Sequence, residues 1–465
     1  MKMRRLASIL SVLTFLQAGC HREQPATITL EQTLPRSGAS RAAPAMDACS
    51  LVLVPHAGQT KVDQEILLLQ KRVSQTPDPA RLLERLGWLF ISKARTSFDP
   101  GFYTLAEQCA VCLESKDPQS LEALLLRGHS WQSLHRFKEA EGAARQLVAK
   151  RALACDYGLL GDTLMDQGRV DEAGTAYQQM MDLKPDLHAY ARGAQFRWIK
   201  GDLAGALELM RMSAQASSPR DPESAAWVFN RLAHYEWQAG SADQALRTCE
   251  AALRLQEDYA PALLTRGRIL LAKGQATNAL PDLQRARELN PLPEYEWALA
   301  EALRSAGPST EADGVESQLV LRGPVEDPRT SALYLATRGR QVETALRLAR
   351  KELADRQDVF THDAVAWALA AAGQFQEAEG HMLQALAEGT QDARLFYHAG
   401  VISAELNQKE EARRWCGKAV GLQQTLLPSE REGLAARQRA LGIEQVVATT
   451  ASPTNGVDLL PARTN

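Results

Sequence analysis

The chain has 465 residues and a net charge of -3, because 53 Lys and Arg residues nearly balance 56 Asp and Glu residues. Hydrophobic residues at 45% and charged residues at 23% are typical of a folded protein, and they exclude wholesale disorder, collagen and a polytopic membrane protein. The balanced charge gives no global attraction to nucleic acid or anionic lipid. Aromatic residues make up only 6%, and helix-forming residues recur throughout, so we predict an all-α fold.

The first twenty residues have the order of an export signal. Lys2, Arg4 and Arg5 precede an apolar run over residues 6–16, and small residues follow. Such a run spans about 16 Å as a helix, far less than the roughly 30 Å of hydrocarbon in a bilayer. It therefore predicts a signal peptide over residues 1–20 and an exported chain, rather than a stable membrane span.

The signal ends in Ala18, Gly19 and Cys20, a triplet that resembles the lipobox of bacterial lipoproteins. In that family the Cys is lipidated and becomes the mature N-terminus. The resemblance implies lipidation of Cys20 and anchoring to a membrane of the cell envelope, facing the periplasm or the exterior. Gln17 stands where the family usually has Leu. The alternative is ordinary secretion after cleavage by signal peptidase.

One spacing recurs through the body of the chain: a small residue is followed seven places later by a turn residue and twelve places later by Ala. The seven copies are Gly128, His135 and Ala140; Gly161, Gly168 and Ala173; Ala194, Gly201 and Ala206; Ala233, Gly240 and Ala245; Gly267, Gly274 and Ala279; Ala366, Gly373 and Ala378; and Gly400, Asn407 and Ala412. The small residues are separated by 33, 33, 39 and 34 positions over the first five copies and by 34 over the last two. This period indicates a repeated unit.

A unit of about 34 residues, with small residues where two helices meet and a turn between them, resembles the tetratricopeptide repeat, or TPR. The small residues let the helix axes approach, and the turn residue ends the first helix. The resemblance implies a right-handed α-solenoid of about ten helix-turn-helix units.

The positions of the repeat copies, and the composition of the segments outside them, predict how the chain is organised. A first unit over residues 81–115 is expected to have an inter-helix turn enlarged around residues 96–102. The predicted segments are a flexible tether at 21–60, an atypical N-terminal helical cap at 61–120, five clear TPR units at 121–293, two degenerate units at 294–357, two clear units at 358–425, a capping helix at 426–445 and a disordered tail at 446–465.

Known catalytic motifs are missing from the sequence: it contains no G-x-S-x-G, no H-E-x-x-H and no glycine-rich phosphate loop. We therefore predict that the chain is not an enzyme and that it uses no cofactor and no metal. Cys109 and Cys112 form a C-x-x-C pair, which supports the alternative hypothesis of a thiol-redox or metal-binding protein. No strand is predicted before this pair, which argues against a thioredoxin-like site. Small buried core positions are expected for Cys49, Cys155, Cys249 and Cys416. The alternative, in an exported protein, is that some of them form disulfides, whose connectivity the sequence does not give.

A solenoid of helix pairs leaves a long concave surface, and TPR proteins use first-helix side chains on that surface to bind peptides. Trp227, Asn230, His234 and Trp237 recur at i, i+3, i+7 and i+10, which places them on one helical face. The equivalent face of neighbouring units carries His188, Gln195, Trp198, Arg268 and Tyr295. We predict that these nine residues form a peptide-binding groove. The alternative is that the aromatic residues pack against neighbouring units or against the loop at residues 217–223.

These observations lead to one functional hypothesis, a non-catalytic scaffold that binds a protein or peptide in the bacterial cell envelope. The chain resembles TPR-containing envelope lipoproteins in this respect. The predicted membrane contact is made through the N-terminal lipid, and no nucleic acid partner is expected. A further alternative is a structural organiser that assembles with copies of itself.

Overall fold

The structure is a computed structural model that describes residues 46–443. Within these residues it contains 23 α-helices and one short 3-10 helix, and no strand. The all-α prediction is thus confirmed for the described part of the chain. The predicted signal peptide, Cys20 and the tail at 446–465 lie outside it. None of the helices between residues 46 and 443 has both the length and the apolar character needed to cross a membrane.

Ten helix pairs follow one another along the chain and form the stacked units of a solenoid. Two helices precede them, α1 (Ala48–Val52) and α2 (Lys61–Gln75). The pairs are α3 (Ala80–Ser97) with α4 (Gly101–Lys116), α5 (Leu121–Ser133) with α6 (Phe137–Lys150), α7 (Ala154–Asp166) with α8 (Val170–Leu183), α9 (Leu187–Ile199) with α10 (Leu203–Gln215), α11 (Pro222–Gln238) with α12 (Ala242–Leu255), α13 (Ala260–Ala272) with α14 (Ala276–Leu289), α15 (Pro293–Ala306) with α16 (Thr310–Glu326), α17 (Pro328–Thr337) with α18 (Val342–Asp355), α19 (Val359–Ala371) with α20 (Phe375–Leu386), and α21 (Ala393–Glu405) with α22 (Lys409–Gly421). The 3-10 helix (Gln423–Thr425) and α23 (Pro428–Ala440) end the described chain.

Small residues lie where the two helices of a unit touch. Gly161 in α7 is so close to the ring of Tyr177 in α8 that an added Cβ would overlap it. Gly400 in α21 faces the Sγ atom of Cys416 in α22 in the same way. The repeat therefore needs a small residue at this position because the helix axes approach closely there.

The first unit does not contain the enlarged turn that the sequence indicated. Helix α3 continues to Ser97 and α4 begins at Gly101, so the turn has three residues. Phe90, Ile91 and Ala94 extend the buried stripe of α3 by a further turn of helix. The prediction was wrong because these apolar residues lengthen the helix instead of the loop.

The segment predicted as a tether is partly folded. Helix α1 lies within it, and a disulfide joins Cys49 to Cys112 of α4, with Cα atoms 4.9 Å apart. Val52 is fully buried, and the side-chain amide of Gln70 donates to its carbonyl oxygen at 2.8 Å. The predicted boundary at residue 60 was wrong because the disulfide and the burial of Val52 fix α1 to the first unit.

The solenoid curves far enough for its C-terminal units to contact its central units edge to edge. The contact runs along the C-terminal ends of α7, α9, α11 and α13, and we call it the seam. The last carbonyl oxygen of each of these helices accepts a hydrogen bond from the later units: Gln357 N–H to Asp166 at 3.1 Å, Thr390 Oγ1 to Ile199 at 2.6 Å, Gln424 Nε2 to Gln238 at 3.2 Å and Arg431 Nη1 to Ala272 at 3.2 Å. Because the last carbonyl groups of a helix have no partner within that helix, the seam satisfies groups left open by four helices.

Candidate functional site

The inner surface of the solenoid is formed by the first helices of the units, and its residues follow the repeat phase. In α11 the small residue is Ala233, and the inner face carries Asn230 three places earlier, His234 one place later and Trp237 four places later. Residues at such spacings share one side of a helix. These three predicted groove residues therefore lie on the inner face of α11.

The seam changes how accessible the predicted groove is. Trp198 and Trp237 are only 6% and 2% exposed, and Tyr295 is also buried. Four further predicted groove residues are partly buried, namely Gln195, Asn230, His234 and Arg268, whereas His188 and Trp227 are exposed. The prediction of an open groove is wrong at Trp198, Trp237 and Tyr295.

The C-terminal units cover Trp198, whereas the ring of Trp237 packs within α11 to α13 beside Cys249 and Ile269. The ring of Trp198 stacks on Phe360 with centroids 5.5 Å apart, and its Nε1 donates to Gln238 at 2.7 Å. Gln424 donates to the carbonyl oxygen of Trp237 at 3.3 Å. The sequence indicated which face these residues occupy, but not what lies opposite that face. Whether they bind a peptide stays a prediction.

Four of the predicted residues do form one cluster inside the solenoid. His234 lies between the two tryptophans, with ring centroids 6.3 Å from Trp198 and 6.2 Å from Trp237. The guanidinium of Arg268 lies 5.5 Å from the centroid of Trp237, within range of a cation–π contact. Burial, together with the charges of Arg231 and Arg268, lowers the pKa of His234 to about 3. The imidazole is therefore neutral at physiological pH.

A cavity of about 200 Å³ continues from this cluster along the axis of the solenoid, and we call it the central cavity. His234 and Arg268 line it, as do several residues that sequence reasoning missed: Trp297, Arg329, Phe360, Asp363, Asp392 and Arg394. The repeat phase identifies four of them. Arg329 and Asp363 lie three places before Ala332 and Ala366, and Phe360 and Arg394 lie six places before Ala366 and Gly400.

The charges in the central cavity are largely compensated. Arg394 pairs with Glu430 at 2.6 Å, and Arg329 pairs with Asp358 at 3.1 Å. Arg268 donates to the carbonyl oxygen of Thr425 at 2.8 Å and lies 3.4 Å from Glu294. Because each guanidinium has an acceptor, the cavity does not offer an unpaired positive charge to an anion.

A second concavity of about 520 Å³ lies on the inner faces of α17, α19 and α21, beside α23. We call it the C-terminal groove. Its lining is Ala336, Thr337, Arg338, Gly339, Trp367, Ala371, Tyr397, Val401, Gly433, Ala436, Arg437 and Ala440. This lining contains two aromatic rings, four alanines and two arginines, and no acidic residue. Ala436 and Ala440 are exposed, so the groove opens to solvent along α23.

The aromatic walls of the C-terminal groove are held in place. Trp367 stacks on His398 with centroids 3.9 Å apart and donates from Nε1 to Thr337 Oγ1 at 2.9 Å. His398 in turn contacts Asp363 at 2.7 Å. The hydroxyl of Tyr397 lies against Gly433 of α23, where an added Cβ would overlap it. Rings fixed in this way lose little conformational entropy when a ligand packs on them.

A sequence profile of the tetratricopeptide repeat matches residues 158–222, 230–292 and 365–425. The chain contains tetratricopeptide repeats. The unmatched stretch between residues 292 and 365 coincides with the two units in which the small residue or the Ala of the pattern is lost. Their helices, α15 to α18, are nevertheless present.

Several solved structures resemble parts of the chain. MamA is 17% identical, with a TM-score of 0.29, and the match covers 35% of this chain and 94% of MamA. YrrB, a TPR protein with an unusual peptide-binding site, is 12% identical with a TM-score of 0.28, covering 39% of this chain and 92% of YrrB. The human IFIT1 dimer with PPP-AAAA is 14% identical with a TM-score of 0.44, covering 80% of this chain and 93% of IFIT1. No curated protein matches the chain.

The cysteines of the first TPR unit do not form the site of the alternative hypothesis. Cys112 is joined to Cys49, and Cys109 is fully buried, where desolvation raises the pKa of its thiol well above the usual range. A buried neutral thiol is neither a good nucleophile nor a good metal ligand. No group of three or more His, Cys, Asp or Glu side chains suited to a metal occurs between residues 46 and 443.

The remaining cysteines divide between the core and the surface. Cys249 and Cys416 are fully buried between the helices of their TPR units, as predicted. The core prediction was wrong for Cys49, which is in the disulfide, and for Cys155, which is exposed as the second residue of α7. Cys155 lies in the first turn of α7, on the side of the helix that does not pack against the rest of its unit.

Proposed function

We propose that this chain is a non-catalytic scaffold of the bacterial cell envelope that binds an extended protein segment in the C-terminal groove. The observation that carries the proposal is the groove itself: an open concavity of about 520 Å³ on the inner face of tetratricopeptide repeats, walled by Trp367 and Tyr397. Repeat solenoids use such concave surfaces for recognition. Fixed aromatic rings are frequent anchors in protein interfaces.

The lining favours a particular kind of segment. Small side chains at Ala336, Ala371 and Ala436 leave room for an apolar side chain beside the two rings, which contact each other with centroids 5.6 Å apart. Arg338 and Arg437 also line the groove, and both pair with glutamates of this chain. Their charge is therefore already compensated. We propose a segment with an apolar anchor.

Two observations support the envelope as the location. The N-terminal sequence has the order of an export signal that ends in a lipobox-like triplet. The disulfide between Cys49 and Cys112 is of a kind that persists in oxidising compartments and is rare in the cytosol. Fractionation of cells that express wild type or Cys20→Ser tests the anchor. Wild type in the soluble fraction alongside the variant would contradict lipidation.

Binding in the groove is tested by blocking it. A photoreactive amino acid at Val401, inside the groove, is expected to crosslink a partner protein in intact envelopes. Ala436→Trp adds a large side chain at an exposed lining position, so we expect the crosslink yield to fall by about tenfold while the fold is retained. Yields are measured by blotting, and folding is checked by circular dichroism.

The matched control is Ala354→Trp, which adds the same side chain at an exposed position of α18, a second helix that does not line the groove. It should leave the yield unchanged. Equal yields from both variants would mean that recognition does not use the C-terminal groove.

A further inference from the structure

The seam differs in chemistry from the contacts within each unit. Inside a unit, alanines and glycines of two helices form a continuous apolar contact. At the seam, four hydrogen bonds reach the last carbonyl groups of α7, α9, α11 and α13. Two ion pairs accompany them, Arg356 with Asp166 at 2.8 Å and Lys200 with Glu388 at 2.8 Å. Water can replace such polar partners when they separate, so separation is opposed less strongly than loss of apolar packing.

Apolar contact across the seam is confined to a few side chains. Val359 and Phe360 at the start of α19 pack with the core of α7 to α11, with Phe360 stacked on Trp198. Leu426 and Leu427 are buried at the edge of the central cavity. The seam is therefore a narrow interface at α7 to α11, whereas α13 shares its buried core with Leu426 and Leu427.

Two turn glycines of the central units are specialised for this interface. Gly168 and Gly201 have φ of 73° and 78°, the left-handed region that favours glycine. An added Cβ would also overlap the carbonyl oxygen of Gln357 at the first site and that of Gly389 at the second. Gly373 and Gly274 have φ of 73° and 76°, but nothing lies within 4 Å of a Cβ added there. Gly168 and Gly201 thus serve both the turn and the close approach of the next units.

We propose that the solenoid opens along the seam as a unit, with its helix pairs still folded, and that this opening makes Trp198, His234 and Arg268 accessible. In the closed form Trp198 stacks on Phe360, Arg268 donates to Thr425, and His234 lines the central cavity beside both. Local opening of this kind is expected where a region has few apolar contacts and solvent-replaceable hydrogen bonds. The opening itself is independent of any partner. Its role, which is to extend the C-terminal groove to the predicted groove residues, rests on the proposed function.

The glycine pairs provide a matched test by hydrogen–deuterium exchange and mass spectrometry. Gly168→Ala and Gly373→Ala carry the same backbone strain, because both glycines have φ of 73°, but only the first displaces Gln357. We expect exchange at residues 356–361, 388–392 and 423–431 to be about tenfold faster in Gly168→Ala than in Gly373→Ala. Exchange within α8 and α20 should be the same in both variants.

A second pair of variants keeps the proposal testable if Gly168→Ala does not fold. Gly201→Ala, again compared with Gly373→Ala, repeats the comparison at the next seam contact. Equal exchange in the members of both pairs would overturn the proposal. Faster exchange throughout α7 to α23 would also overturn it, because opening would then be inseparable from unfolding. No partner is present in this measurement, so its failure is distinct from failure of the crosslinking experiment.

Discussion

Loss of the disulfide between Cys49 and Cys112 is expected to lower the free energy of unfolding of the N-terminal cap by about 4 kcal/mol. The bond joins residues that are 63 positions apart, so it removes much of the chain entropy of the unfolded cap. It also holds α1 against α4, where Val52 is buried. Cys49→Ser, followed by thermal circular dichroism, should show an earlier transition for the cap.

Reductant gives an independent measurement of the same effect. The other cysteines of residues 46–443 are free thiols, so within this part of the chain reduction acts on one bond. Wild type in reductant should behave like Cys49→Ser, and Cys155→Ser, an exposed position, serves as the control. A transition that neither the substitution nor the reductant moves would contradict the assigned role of the bond.

Glu430→Ala is expected to lower the free energy of unfolding by about 3–5 kcal/mol. Glu430 is 1% exposed and accepts hydrogen bonds from the guanidinium of Arg394 at 2.6 and 3.2 Å and from the amide of Leu427 at 2.9 Å. Removal of the carboxylate deprives Arg394 of its closest counter-charge inside the solenoid. Denaturation with urea, followed by circular dichroism, measures the loss.

The contribution of Glu430 to the free energy of unfolding is expected to decrease as the pH is lowered. Although burial alone would raise it, the charge of Arg394 and the hydrogen bonds hold the pKa of Glu430 below its usual value. The folded state therefore favours the ionised carboxylate, and this stabilisation is present above the ordinary Glu pKa of 4.5 and is lost as the pH falls below it. Glu410→Ala is the control, because Glu410 pairs with Arg413 at an exposed position. If Glu430→Ala and Glu410→Ala lower the free energy of unfolding by the same small amount, the assigned role of the Arg394–Glu430 pair is contradicted.

The sequence identified the repeated helix pairs but not the closure of the solenoid. Small residues such as Gly161 and Gly400 recur at a fixed spacing because each lies where the two helices of one unit touch. The local sequence is therefore enough to reveal them. The seam joins residues such as Asp166 and Arg356, which are 190 positions apart. Its existence depends on the accumulated rotation of several units, and no local pattern encodes that rotation. The sequence therefore predicts the correct helical face for Trp198, but not the burial of its side chain.

Other differences have similarly specific causes. The pairing of Cys49 with Cys112 left no spacing signal, because disulfide connectivity depends on three-dimensional proximity. Arg329 and Asp363 are charged, so the spacing of aromatic residues that predicts the groove does not single them out. The C-terminal groove was missed because it also needs α23, which lies outside the repeat pattern.

The seam also restricts how the number of repeats can change. Open solenoids tolerate the gain or loss of a unit, because each unit contacts only its neighbours. Here Asp166, Ile199 and Gln238 must meet Gln357, Thr390 and Gln424, so one unit added or deleted between α8 and α19 would move every partner out of register. The two units that have lost the repeat pattern, α15 to α18, lie in this interval. These units therefore set the separation of the two sides of the seam, and the number of units between α8 and α19 is fixed even where the repeat pattern is lost.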